Sequence, residues 1–224
     1  MKRVEMPSAN QDSRGGSAID MLVLHYTGMA TAEAALSRLC DPEAKVSAHY
    51  TIGEDGIVYA HVPEEKRAWH AGLSFWAGTR NLNACSIGIE LVNPGHDYGY
   101  RLFPGAQIAS LKRLCLDILA RHAIAPARVL GHSDVSPARK QDPGELFPWR
   151  DLAGAGIGLW PGQAANPADA DALILYGYDP DVPRDKTIAA FQRHFRPGNL
   201  SGVWDRECGL LLAALLAKAA PTGL

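Results

Sequence analysis

Short apolar runs rich in β-formers alternate with helix-compatible stretches over the first two thirds of the chain. This predicts an α/β domain with a mixed central β-sheet flanked by helices. A change of character after Trp149 is the second observation. Small residues and glycines from Ala153 to Gly158 and a loop from Pro161 to Asn166 give way to a helical pattern, so a small C-terminal helical domain is expected. Composition is the third: 47% of the 224 residues are apolar and 21% are charged, enough for a core and against global disorder.

In order, residues 1–18 are polar and rich in glycine and serine, and read as a flexible arm. Met21 to Thr27 is a run of β-formers that reads as a buried strand, and Thr31 to Cys40 has the alanines and leucines of a helix. His49 to Ile52 and Ile57 to Val62 flank Gly53-Glu54-Asp55-Gly56, a hairpin signal. Ser86 to Val92 reads as a strand stopped by Asn93-Pro94-Gly95. From Gly105 to His122, Ile108, Leu111, Leu114, Cys115, Ile118 and Leu119 recur at helical spacing and predict one buried face. Val129 and Leu130 form a short strand leading to His132. Further on, Ile188, Phe191 and Phe195 share a helical face, and Asp205 is placed to cap a last helix. The expected units are therefore 1–18, 19–160 and 161–224.

The chemistry concentrates in Gly131-His132-Ser133-Asp134-Val135-Ser136-Pro137-Ala138-Arg139-Lys140-Gln141-Asp142-Pro143-Gly144. Proline and glycine hold this stretch out of regular structure, where functional side chains often sit. Imidazole and carboxylate both suit zinc, and His25, at the end of the Met21 strand, supplies a further nitrogen. With His132 and Asp142 it makes three protein ligands and leaves a tetrahedral position open, the pattern of a catalytic ion. A lone histidine ending a strand is more often a satisfied core residue, so the case rests on the three together. Asp142 precedes a proline, which holds its backbone extended. Asp134 is the rival carboxylate, and an Asx turn bracing the loop is its ordinary role.

Taken in order, the segments LHYTG, SAHYTI, AWHAG, SIGIELVN and GHSDVSPARKQDPG resemble the zinc-dependent N-acetylmuramoyl-L-alanine amidases. That family includes AmpD- and AmiD-type enzymes, phage lysozyme amidases and peptidoglycan-recognition proteins. The similarity runs from about Ile19 to Trp149. It implies a sheet-and-helix amidase fold, zinc on His25, His132 and Asp142, and catalytic roles for Glu90 and Lys140. It also implies the substrate bond, between the muramic acid lactyl group, or that of its 1,6-anhydro form, and L-alanine of a stem peptide, in wall recycling or turnover. Tyr176-Gly177-Tyr178-Asp179 and Ala190-Phe191-Gln192-Arg193-His194-Phe195-Arg196-Pro197 resemble a three-helix peptidoglycan-binding module. The alternative for 161–224 is a helical cap packed on the catalytic domain.

These roles are chemically coherent. Strand alternation alone would turn Gly88, Glu90 and Val92 towards solvent, whereas a partly desolvated Glu90 has a raised pKa and can exchange a proton with zinc-bound water near neutrality. Lys140, two residues before Asp142, can direct an ammonium at a developing oxyanion; otherwise it is a solvated lysine beside Arg139. His49 and His70 are expected in the cleft wall or behind the ligands, and Trp69 and Trp76 as apolar walls for a sugar ring. Arg80 and Asn83 are expected to meet stem-peptide carboxylates.

Other classes are less compatible. A formal net charge of −2 gives no basis for nucleic-acid binding, and no apolar segment is long enough to span a bilayer. Met1 to Asp20 lacks the apolar core of a signal peptide, so the chain as written is expected in the cytoplasm, or in the periplasm or envelope if an export signal has been removed. The four cysteines are scattered without CxxC pairing and are expected to be mostly buried free thiols. A monomer is expected. A cysteine hydrolase on Cys85 lacks flanking motifs, and a non-catalytic peptidoglycan-recognition protein would commonly lack a zinc ligand, whereas all three are here.

Overall fold

The computed structural model describes residues 1–219. Its main sheet has six strands, in the spatial order Arg3–Glu5, Val58–Ala60, Tyr50–Ile52, Ser86–Leu91, Met21–Tyr26 and Val129–Gly131. In chain order the strands and helices are β1 (Arg3–Glu5), β2 (Gln11–Ser13), β3 (Met21–Tyr26), α1 (Ala32–Cys40), β4 (Tyr50–Ile52), β5 (Val58–Ala60), β6 (Lys66–Ala68), β7 (Phe75–Trp76), β8 (Thr79–Arg80) and β9 (Ser86–Leu91). They continue with α2 (Gly105–Arg121), β10 (Val129–Gly131), α3 (His132–Val135), α4 (Trp149–Gly154), α5 (Ala172–Tyr176), α6 (Arg184–Phe195) and α7 (Arg206–Ala219). The predicted hairpin is the antiparallel pair β4–β5, whereas β4, β9, β3 and β10 run parallel. The sheet is therefore mixed.

Alternation along β3 and β9 divides the core. Leu22 and Leu24, with Ile87, Ile89 and Leu91, pack on the apolar stripe of α2 formed by Ile108, Leu111, Leu114, Cys115 and Ile118. On the opposite face, Met21, Val23 and Leu130 share a second core with Trp76, Tyr178, Phe191, Phe195, Leu212 and Leu215. The C-terminal helices thus cover a face of the sheet, so this face does not depend on solvent-facing polar residues. Ile188, Phe191 and Phe195 lie on one buried stripe of α6, as their spacing predicts. All four cysteines are free thiols; Cys85, Cys115 and Cys208 are buried.

The arm expected at 1–18 is ordered instead. β1 pairs in parallel with β5 at the edge of the main sheet, and β2 pairs with β6. Backbone contacts hold it: Val58 N–H donates to the Lys2 carbonyl (3.0 Å) and Met6 N–H to the Ala60 carbonyl (2.9 Å). Arg14 is buried and donates to the carbonyls of Glu64, Ala84 and Ser86. Such bonds need a strand edge and carbonyls brought from elsewhere, which polar composition does not reveal.

Candidate metal centre

Three parallel strands bring the site to their carboxyl ends, a usual location for ligand sites in open α/β sheets. His25 lies beside Glu90 in the β3–β9 register, and His132 follows β10, whose Gly131 pairs with Leu24 of β3. Asp142 comes from the loop beyond α3. Its carbonyl accepts Ser133 N–H at 2.9 Å, which joins its loop to the segment that carries His132.

The three side chains converge. His25 Nδ1 lies 3.0 Å from His132 Nδ1 and 3.0 Å from Asp142 Oδ2, and His132 Nδ1 lies 3.1 Å from the same oxygen. All three residues are buried. The surrounding bonds assign the tautomers. Ser86 O–H donates to the Leu82 carbonyl, so Ser86 Oγ accepts from His70 Nε2–H, and His70 Nδ1 in turn accepts from His25 Nε2–H at 3.1 Å. His132 Nε2–H donates to the Ala71 carbonyl at 3.2 Å. Both Nδ1 lone pairs therefore face one another and a carboxylate oxygen. Three facing acceptors repel unless a cation lies between them, and ligands about 2.0–2.1 Å from a tetrahedral zinc stand ~3.3 Å apart. This donor set fits such an ion.

Gly88 makes this relay possible. A Cβ at that position would fall 2.4 Å from His70 Cγ, so only glycine lets the His70 ring lie against β9. The face that alternation alone would leave open is covered there by His70.

Burial, and secondly the adjacent His132, lowers the His25 pKa to about 4; burial and then Arg14 lower that of His49 to about 3. His70 is also held well below its ordinary value, chiefly by burial. Glu90 shifts in the opposite direction: burial first, then the Asp142 charge, raises its pKa well above the usual carboxylate range, while Lys140 opposes this. The Glu90 Oε2 atom is buried without a hydrogen-bond partner.

The lowered histidines imply a pH dependence. The folded state favours their neutral forms, so their contribution is complete above the unfolded pKa of about 6.5 and is lost as pH falls from there towards 4. Thermal unfolding of metal-free Glu90→Gln protein, which lacks the opposing titration of the buried Glu90 carboxyl, should show Tm falling steadily over that interval. A flat Tm of that variant from pH 7 to 4.5 would contradict it.

A cleft of about 390 Å³ opens over these groups. Glu90, His70, His132 and Asp142 line it, with Lys140 and Arg139 from the ligand loop, Tyr26 at the end of β3, and Arg38 of α1. Thr31 caps α1 by accepting Ala34 N–H at 3.1 Å, with Glu33 in the first turn and Arg38 in the last, both complementing the helix dipole.

Known proteins resemble this chain over most of its length. The N-acetylmuramoyl-L-alanine amidase family matches residues 15–145. The chain belongs to that family. N-acetylmuramoyl-L-alanine amidase AmiD of Escherichia coli is 41% identical over 89% of this chain and 83% of its own length. The AmiD structure in complex with anhydro-N-acetylmuramic acid-L-Ala-D-gamma-Glu-L-Lys superposes with a TM-score of 0.80 at 39% identity, covering 91% of each chain. AmpDh3 of Pseudomonas aeruginosa, in complex with anhydromuramic pentapeptide, gives a TM-score of 0.82 at 37% identity, over 89% of this chain and 92% of that one. The chain is an N-acetylmuramoyl-L-alanine amidase of the same mixed-sheet fold.

The amidase places the remaining sequence-predicted residues unevenly. His70 lines the cleft and supports His25. His49 is fully buried, accepting Gly88 N–H at Nδ1 and lying 3.1 Å from the Lys66 carbonyl at Nε2, behind the cleft and not in its wall. Asn83 Oδ1 accepts the backbone N–H groups of His70 and Ala71, so it shapes the loop beneath the ligands. Arg80 points away, pairing with Asp179 and Asp181. Trp69 lies outside the cleft lining with its indole N–H buried, and Trp76 is core, against Tyr176 and Tyr178. Cys85 is buried, its thiol pushed up in pKa by burial and directed at the Leu82 carbonyl, an environment unlike that of a nucleophile. Sequence reasoning missed Tyr26 and Gly88. The only signal for Gly88 was an isolated glycine within a strand pattern.

Proposed function

We propose that this amidase hydrolyses the amide bond between N-acetylmuramic acid, including its 1,6-anhydro form, and L-alanine of a peptidoglycan stem peptide, with a zinc ion held by His25, His132 and Asp142. The supporting observation is the convergence of two bare imidazole nitrogens and a carboxylate oxygen on the floor of a cleft, beside a partnerless carboxyl oxygen of Glu90. The complexes of AmiD and AmpDh3 with anhydromuramic peptides agree in substrate class.

When bound, zinc would supply Lewis acidity, polarising the amide carbonyl and making a water nucleophilic near neutral pH. His70 and the Ala71 carbonyl hold the imidazoles in the tautomer this requires. Glu90, with its raised pKa, takes the proton lost by water as the new C–O bond forms, and passes it to the alanine nitrogen as the C–N bond breaks. Lys140 offsets the negative charge developing on the carbonyl oxygen.

Lys140→Ala should therefore lower kcat by about 100- to 1,000-fold with zinc content unchanged. Lys140→Arg should remain impaired, since a planar fork has a different reach from a compact ammonium. Steady-state kinetics beside metal analysis checks both. Full activity of Lys140→Ala would reduce the lysine to a solvated loop residue.

Assays on whole sacculi and on a soluble anhydro-muropeptide test the function itself. Release of stem peptides with a free L-alanine amino terminus is expected. Binding without release would instead indicate a recognition protein. The core that α6 and α7 share with the sheet favours the packed-cap reading of residues 161–224, and sedimentation with sacculi tests whether the unit also binds wall.

A further inference from the structure

Asp134, two residues beyond His132, is buried and engaged by residues from far along the chain. Its Oδ2 accepts Gly131 N–H at 2.8 Å and the ring N–H of His194 Nδ1 at 2.7 Å, and its Oδ1 accepts the Tyr178 hydroxyl at 2.9 Å. His194 lies on α6 and Tyr178 between α5 and α6, beyond the 15–145 segment that defines the family. The His194 ring is sandwiched between Trp149 (3.8 Å, 20°) and Phe195 (3.9 Å, 10°), and the Tyr178 ring packs on Trp76 at 4.9 Å. Neither donor has room to adopt another rotamer easily. Both Tyr178 and His194 are almost fully buried, as is the carboxylate they hold.

This arrangement bears on the metal centre through the turn that leads into His132. The Asp134 bond to Gly131 N–H closes the turn immediately before His132, in the manner of a capping carboxylate reaching back to the helix start.

We propose that His194 and Tyr178 are positioning residues of the metal centre: they hold Asp134 on the Gly131 turn and so seat His132. This rests on the zinc reading above. The C-terminal helices are then part of the catalytic apparatus and not a detachable accessory.

The test compares His194→Asn with His194→Gln in the full chain. Both lose the ring stack equally, but the asparagine amide lies close to the original Nδ1 position and the glutamine amide does not. Zinc release into a chromophoric chelator and the visible spectrum of the cobalt-loaded protein are measured with kcat and KM. His194→Asn should release zinc at close to the parental rate with a parental cobalt spectrum. His194→Gln should hold zinc about 10- to 100-fold less tightly, as when other partners of metal ligands are removed, with an altered spectrum and a fall mainly in kcat. Tyr178→Phe, which leaves the His194 bond in place, should show a smaller effect in the same direction. Parental zinc release and spectra in both His194 variants would overturn the proposal, as would equal loss in both, which would reduce His194 to packing. A parental protein that binds no zinc would contradict the earlier reading and not this one.

Discussion

Glu90→Gln is expected to lower turnover by about 100- to 10,000-fold while leaving zinc content unchanged. The glutamine fills the same space beside His25 but cannot accept and return a proton. Stability should respond in the opposite direction. Burial and the Asp142 charge raise the Glu90 pKa, so the folded state disfavours the ionised form. Its neutral form stabilises the fold below the unfolded value of about 4.5, and that contribution is lost as pH rises towards the folded pKa. Metal-free Glu90→Gln should therefore match the parent near pH 4 and exceed its Tm increasingly towards pH 8. This would be a local exchange of stability for activity, as strained catalytic groups commonly show. A variant with normal turnover would remove Glu90 from the mechanism. Equal Tm at pH 8 would mean that the carboxylate is well solvated.

Asp142→Ala should abolish hydrolysis by a different route, through loss of the metal. Oδ2 of Asp142 lies within about 3 Å of both imidazole nitrogens and carries the only negative charge of the ligand set. The variant should therefore contain little zinc after dialysis. Normal zinc content would show that the third ligand is misassigned. Asp134, the nearest rival in sequence, already accepts three hydrogen bonds in this structure, so a variant binding zinc through it would need the C-terminal contacts to open.

Much of the site was legible because its signals are local. His25 ends an apolar strand, Glu90 ends another of matching length, and His132 and Asp142 lie in one proline- and glycine-rich stretch. Alternation along β3 placed Leu22 and Leu24 on one face, and the helical stripe of α2 meets them. The rest depends on partners distant in sequence. Arg14 is held by carbonyls of residues 64, 84 and 86, and His194 and Tyr178 by a carboxylate 60 and 44 positions away. Arg80 reads as an available cation until Asp179 and Asp181, about a hundred residues on, neutralise it. Edge strand β1 is short and polar; its pairing is made by backbone groups, which every sequence carries.

The central claim, a metal-dependent amidase acting at the muramyl–L-alanine bond, is tested most directly by product analysis on one preparation in three states. A soluble anhydro-muropeptide is incubated with the purified protein as isolated, after complete chelation, and after one equivalent of zinc is returned, and the products are weighed by mass spectrometry. The account predicts free stem peptide beginning at L-alanine in the first state, none in the second, and recovery in the third. Stem-peptide release that survives complete metal removal, or none from the zinc-loaded protein, would contradict it.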